Sequence, residues 1–142
     1  MIAIQFIVTF IILAIMGMLN SGYLVWAHRQ DNKKALVCPL DHDCSVVTES
    51  KWSHIFYFRN DTLGFLFFIA TFVAIITMLL LPLQVPLLSL LILIAASGAF
   101  LFTLFLLYLQ AFVIKDYCFY CLISATITIL LFINSIAVYI AR

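Results

Sequence analysis

Four apolar stretches, at about residues 2–27, 62–82, 87–110 and 117–140, constrain this chain more than any other feature in it. Each supplies the roughly 20 residues that a helix needs to cross the hydrocarbon core of a bilayer. In lipid every backbone N–H and C=O must find a partner inside the protein, and a helix meets that demand within one segment. Composition agrees: 67% of the 142 residues are hydrophobic and 9% are charged, against about half and a quarter in soluble domains. The sequence therefore predicts an all-α integral membrane protein, one four-helix bundle spanning residues 1–142. Pro82 and Pro86 mark the turn "LPLQVP" between the second and third helices. The first stretch lacks a basic n-region and a small-residue cleavage site, so it is expected to be a retained helix rather than a signal peptide.

The charges gather in one large loop, residues 28–61, which joins helices 1 and 2. It holds Arg29, Lys33, Lys34, Lys51 and Arg59 with Asp31, Asp41, Asp43, Glu49 and Asp61; only Lys115, Asp116 and Arg142 lie elsewhere. No basic tract points to nucleic acid. Counting crossings then brings distant residues together. The loop leaves helix 1 on one face of the membrane, helices 2 and 3 cross and return, and the start of helix 4 must emerge on that same face. Cys38 and Cys44 in the loop therefore share a side with Cys118 and Cys121, in "KDYCFYCLISA".

Asp116 is the expected N-cap of helix 4, which would put Cys118 in its first turn, near the positive end of the helix dipole, where thiolate is favoured. Cys121, one turn on, lies on the same face but deeper, at the hydrocarbon edge. Three chemistries suit four cysteines so placed. Zinc could be held by C-x5-C and C-x2-C, with His28, His42 and His54 as alternates, but the site would bridge a loop and a spanning helix. Two static disulfides would explain the pairs but not the tight C-x-x-C ring. Redox exchange accounts for both.

The ordered set of motifs resembles the vitamin K epoxide reductase family, of the stand-alone bacterial or archaeal kind, over essentially the whole chain. The likeness rests on Cys38 and Cys44 in "ALVCPLDHDCS", Ser50 and Trp52 in "ESKWS", Asn60 in "RNDTLGFLFF" and "CFYCLISA" opening helix 4. The order of the pairs separates it from the DsbB type, which carries C-x-x-C in the first loop. The resemblance implies a quinone-dependent thiol–disulfide oxidoreductase that uses no metal. A DsbA-like or other thioredoxin-fold partner, acting in trans because the chain stops at Arg142, would reduce a Cys38–Cys44 disulfide. Electrons would pass to Cys118 and Cys121 and then to a membrane quinone of the ubiquinone, menaquinone or vitamin K type. Asn60 resembles the family asparagine that bonds a quinone carbonyl, although it could instead cap helix 2, as could Asp61 or Thr62. Phe67 resembles a pocket aromatic, against lipid-facing or core packing as the plain alternative. Ser50 and Trp52 match the family loop, where a short helix caps the site; Trp52 could also be an interfacial anchor, as Tyr23 and Trp26 are read to be.

One position departs from the pattern. Four residues after Cys121, where the vertebrate enzymes of the family carry tyrosine, stands Ala125. Without that hydroxyl, reduction of plain quinone is favoured over reduction of the epoxide. Asn20 and Asn134, within apolar helices, are expected to hydrogen-bond between helices, and "ASGA" at 96–99 to pack helices closely. Orientation draws two opposed arguments. Five of the seven Lys and Arg lie in the cysteine loop, which the positive-inside rule would make cytoplasmic. Disulfide formation belongs to the oxidising exterior, and the expected site is extracytoplasmic on an inner or plasma membrane, with the inverted topology as the alternative.

Overall fold

The structure, a computed structural model, describes residues 4–29, 51, 54, 55 and 57–141. The order is α1 (Ile4–Arg29), a two-strand hairpin of β1 (His54–Ile55) and β2 (Phe58–Arg59), α2 (Asn60–Leu80), α3 (Val85–Tyr108) and α4 (Phe119–Ala141). All four helices are long and apolar enough to cross a membrane. The all-α membrane architecture expected from the sequence is present. Cys38, Cys44, Ser50 and Trp52, and any half-helix in their loop, lie outside the described residues.

Three local features differ from expectation. The hairpin pairs His54 with Arg59 and Ile55 with Phe58, and two residues per strand leave no periodicity for a sequence to show. Helix 3 starts earlier than residue 87, with Pro86 in its first turn, where a missing N–H costs nothing. It also does not stop at 110. Its hydrogen bonding widens into a π-helical turn, Leu109–Ile114, that ends at Lys115 in the left-handed region (φ 58°, ψ 31°).

The helices pack in the order α2–α1–α4–α3. Helix α1 lies along both α2 and α4, and α3 lies along α4, while α2 and α3 make few contacts with each other. Phe100 of α3 stacks on Phe132 of α4 with ring centres 4.6 Å apart. Asn134 Nδ2 donates to Phe6 O at 2.9 Å, and Asn20 Nδ2 donates to Tyr120 O and Ser124 Oγ at 2.9 and 2.7 Å. Both asparagines thus tie α1 to α4, one near each end.

Buried Phe10, Phe68, Ile75, Met78, Ile92, Ile127, Leu131 and Val138 form one core. By chain direction most of them sit in the half of the bundle remote from Cys118. Outward faces keep large apolar side chains such as Leu19, Leu101 and Ile133 exposed, as lipid permits. At the centre α1 and α2 touch through Gly17, where an added Cβ would stand 2.5 Å from the Phe68 ring. "ASGA" behaves otherwise. Ala96 is buried, but a Cβ on Gly98 would meet nothing within 4 Å. The small residues leave a space where the sequence suggested close packing.

These two glycines should respond oppositely. Gly17→Val overpacks a closed contact and should lower unfolding free energy in detergent by about 1–3 kcal/mol. Gly98→Ala should leave it level or slightly raised, since Ala is the better helix former.

Candidate functional site

Because α2 and α3 stand apart, a cavity of about 460 Å³ opens between them at the end of the bundle that carries Cys118 and Cys121. That is within the range of small-molecule sites. Its floor is Phe68, and its walls come from all four helices. Leu63, Ala99, Phe102, Leu106 and Leu107 make most of it apolar. Polar groups enter at separate points: Asn60 and Asp61 from α2, Thr103 and Gln110 from α3, and Cys121, Ser124 and Thr128 from α4.

The start of α4 is built on Cys118 rather than Asp116. Asp116 Oδ1 accepts from the next residue, Tyr117 N–H, at 2.9 Å. The helix proper begins at Phe119, and Cys118 O accepts from Leu122 N–H at 3.0 Å as the first intrahelical bond. Cys118 is therefore the N-cap, and its Sγ accepts from Cys121 N–H at 3.4 Å in the manner of a capping side chain. The C-x-x-C spacing is the spacing from N-cap to N3, so the first sulfur reaches one of the orphan amides of the helix. Cys118 is fully buried and Cys121 half-buried at the cavity wall, and both stand as thiols in this structure. A thiolate on Cys118 would sit on the helix axis, where the dipole favours it most.

Asn60 is the first residue of α2, whose N-cap is Arg59, and the Arg59 side chain makes no capping hydrogen bond. The amide that Asn60 might have capped is met locally, since Asp61 Oδ1 accepts from Thr62 N–H at 2.9 Å. Asp61 Oδ1 also accepts from Arg59 Nε at 3.3 Å, an ion pair at the cavity rim. Asn60 lines the cavity. Phe67 lines it as well, half-buried, with its ring centre 5.4 Å from that of Phe68. Ala125 is buried in the α4 wall and brings no hydroxyl there. Tyr23 packs against both Trp26 and Tyr120, with ring centres 6.1 and 5.1 Å away, and Trp26 is exposed. That arrangement suits an interfacial belt.

Of the residues singled out in the sequence, Asn60, Phe67 and Cys121 thus line one cavity, while Cys118 is buried behind that wall with its Sγ accepting from Cys121 N–H. Cys38, Cys44, Ser50 and Trp52 lie outside the described residues. Asp61, Thr103, Gln110 and Ser124 were not foreseen as cavity residues. A glutamine inside an apolar run was the available signal for Gln110, since polar side chains at membrane depth face the bundle interior.

The profile of the vitamin K epoxide reductase family matches residues 8–136, nearly the whole chain and both sides of the cavity. The chain belongs to this family. A search of curated proteins finds no match. Membership makes the protein a quinone-linked thiol oxidoreductase of the membrane, and the geometry suits that chemistry. A dithiol at a helix N-terminus adjoins an apolar chamber with few polar groups, open between two spanning helices.

Capping by sulfur separates structure from reactivity. Cys118→Ser keeps an acceptor for Cys121 N–H, whereas Cys118→Ala leaves that amide unmet. Thermal unfolding in detergent should place the serine variant near the parent and the alanine variant about 1 kcal/mol below it.

Proposed function

We propose that this protein reoxidises a thioredoxin-fold carrier of the DsbA-like kind, acting in trans, and delivers the electrons to a membrane quinone, as a stand-alone bacterial or archaeal member of its family. The carrier thiolate attacks the Cys38 sulfur of a Cys38–Cys44 disulfide, and Cys44 leaves as thiolate. The second carrier thiol attacks its partner sulfur in the mixed disulfide, which releases oxidised carrier and Cys38 thiol. Cys44 then attacks Cys118 in a Cys118–Cys121 disulfide and frees Cys121 as thiolate at the cavity wall. Cys38 resolves the Cys44–Cys118 bond, which regenerates the loop disulfide. Finally, Cys118 and Cys121 rejoin as a disulfide, their electron pair passes to the quinone ring, and two protons bring the ring oxygens to hydroquinone. One dithiol is oxidised and one quinone reduced per cycle.

The observation that carries this reading is the joint placement of Cys121 and Asn60 on one apolar cavity. Asn60 would bond a quinone carbonyl and Phe67 would pack on the ring, while Ser50 and Trp52 would help close the loop over the site. That Arg59 rather than Asn60 stands at the N-cap of α2 supports this part. Buried Ala125 favours plain quinone over the epoxide as acceptor. We place the site on the extracytoplasmic face, where disulfide-forming chemistry is needed.

The test is turnover in sealed, right-side-out vesicles given reduced carrier outside and a ubiquinone or menaquinone analogue in the membrane. The parent should reduce quinone as the carrier is oxidised, and Cys121→Ser should abolish this. Cys38→Ser should block the protein carrier while a small external dithiol still supports one turnover. Equal loss with both donors would refute the relay order. Oxidation only in inverted vesicles would refute the orientation.

A further inference from the structure

Gln110 is the most deeply buried amide side chain at the cavity, 4% exposed, in a segment that otherwise reads as apolar. Burying an amide away from water is costly unless its donors and acceptors are met. It has two donor hydrogens and an oxygen with two lone pairs, and the structure engages one of these sites: Oε1 accepts from Cys118 N–H at 3.4 Å. The backbone N–H can only donate, so the atom facing it must be the oxygen, and this fixes which way the amide is turned. The Nε2 group therefore points elsewhere, and it has no acceptor among the described residues. Gln110 lines the cavity.

Its place on the chain explains how it gets there. Gln110 falls in the π turn Leu109–Ile114, and widened turns of this kind re-aim side chains at functional sites. It reaches the cavity from α3, on the flank opposite α2 and Asn60, at the end that holds Cys121. A para-quinone offers an acceptor-only carbonyl at each of two opposite ring positions, so it needs donors on two flanks. On α4, the Thr128 hydroxyl is already given to Ser124 O at 2.8 Å.

We propose that Gln110 is a quinone-binding residue: Nε2 donates to the carbonyl opposite the one held at Asn60, while Oε1 holds the N–H of Cys118. This rests on the quinone reading above and deepens it. The amide then touches both the acceptor and the dithiol that reduces it. As electrons arrive, that carbonyl oxygen gains negative charge and the bond from Nε2 strengthens. Gln110 thus favours the reduced ring more than the oxidised one.

The experiment uses the full chain in nanodiscs with Cys118 and Cys121 oxidised, so that ligands bind without turnover. Two probes are compared by equilibrium dialysis, the diketone 2-methyl-1,4-naphthoquinone and its monoketone counterpart 2-methyl-1-tetralone. The parent should prefer the diketone by about five- to ten-fold, the scale of one net hydrogen bond. Gln110→Met removes both bonds of the amide; Gln110→Glu, in its ionised form, retains an acceptor for Cys118 N–H but offers a carbonyl no donor. Both should lose the preference, and both should lower kcat for quinone reduction by a similar factor. Only Gln110→Met should also change the rate at which Cys118 is alkylated in the reduced protein. An undiminished preference in Gln110→Met, which has no donor in any protonation state, overturns the proposal and leaves the relay standing. Failure of the parent to bind or reduce any quinone overturns the quinone reading, and this proposal with it.

Discussion

The Phe68 ring seated on Gly17 sets the geometry on which the rest of the bundle depends. Phe68 is fully buried, and Gly17 lets the α1 backbone come close enough that any side chain there would overlap the ring. This contact holds α2 against α1 at the level where the packed half of the molecule ends. Below it, apolar side chains from all four helices close the core; above it, α2 and α3 stand apart and the cavity begins. Asn60 lies eight residues before Phe68, about 12 Å along the helix, so seating the ring also fixes the height of Asn60 in the cavity. Asn20 does the same for the other wall. It ties α1 to the Tyr120 carbonyl and the Ser124 hydroxyl, within the turn that carries Cys121.

The site has an electrical logic that follows from its position in lipid. Most of the cavity wall is apolar, so each polar group there acts on a low-dielectric background and counts for more than it would outside. The N-terminus of α4 turns its first amides toward Cys118, and the Cys118 sulfur accepts from that of Cys121. A helix start is a place where negative charge is tolerated at the membrane edge, which is what a thiol relay requires when it hands electrons from an aqueous carrier to a lipid-soluble acceptor. The C-x-x-C spacing thus meets a structural need and a chemical one with the same two residues.

Much of this was legible in the sequence, and the misses have physical causes. The four spans and the interhelical asparagines follow from hydropathy and the cost of polar groups in lipid; each is a strong, long-range constraint. The cap of α4 was misread by two residues, because Asp116 is the better capping residue by type while the helix starts only at Phe119 and Asp116 Oδ1 accepts from Tyr117 N–H. The π turn adds no signature to an apolar run; a lone glutamine in that run was the one signal for the cavity residue Gln110, and it went unread. "ASGA" shows the limit of composition: small residues permit either close packing or open space, and only the position of α2 decides which. The loop pair Cys38 and Cys44 stands on sequence resemblance alone.

The central claim, that a quinone ring occupies the chamber beside Cys121, is tested most directly by photoaffinity labelling. The protein in nanodiscs would be irradiated with an azidoquinone and the adducts mapped by mass spectrometry. The account predicts adducts within residues 60–67 and 103–110, suppressed by excess unlabelled quinone. Labelling confined to the lipid-facing groove of Ile15, Leu19, Trp26 and Phe65, undiminished by competitor, would contradict it.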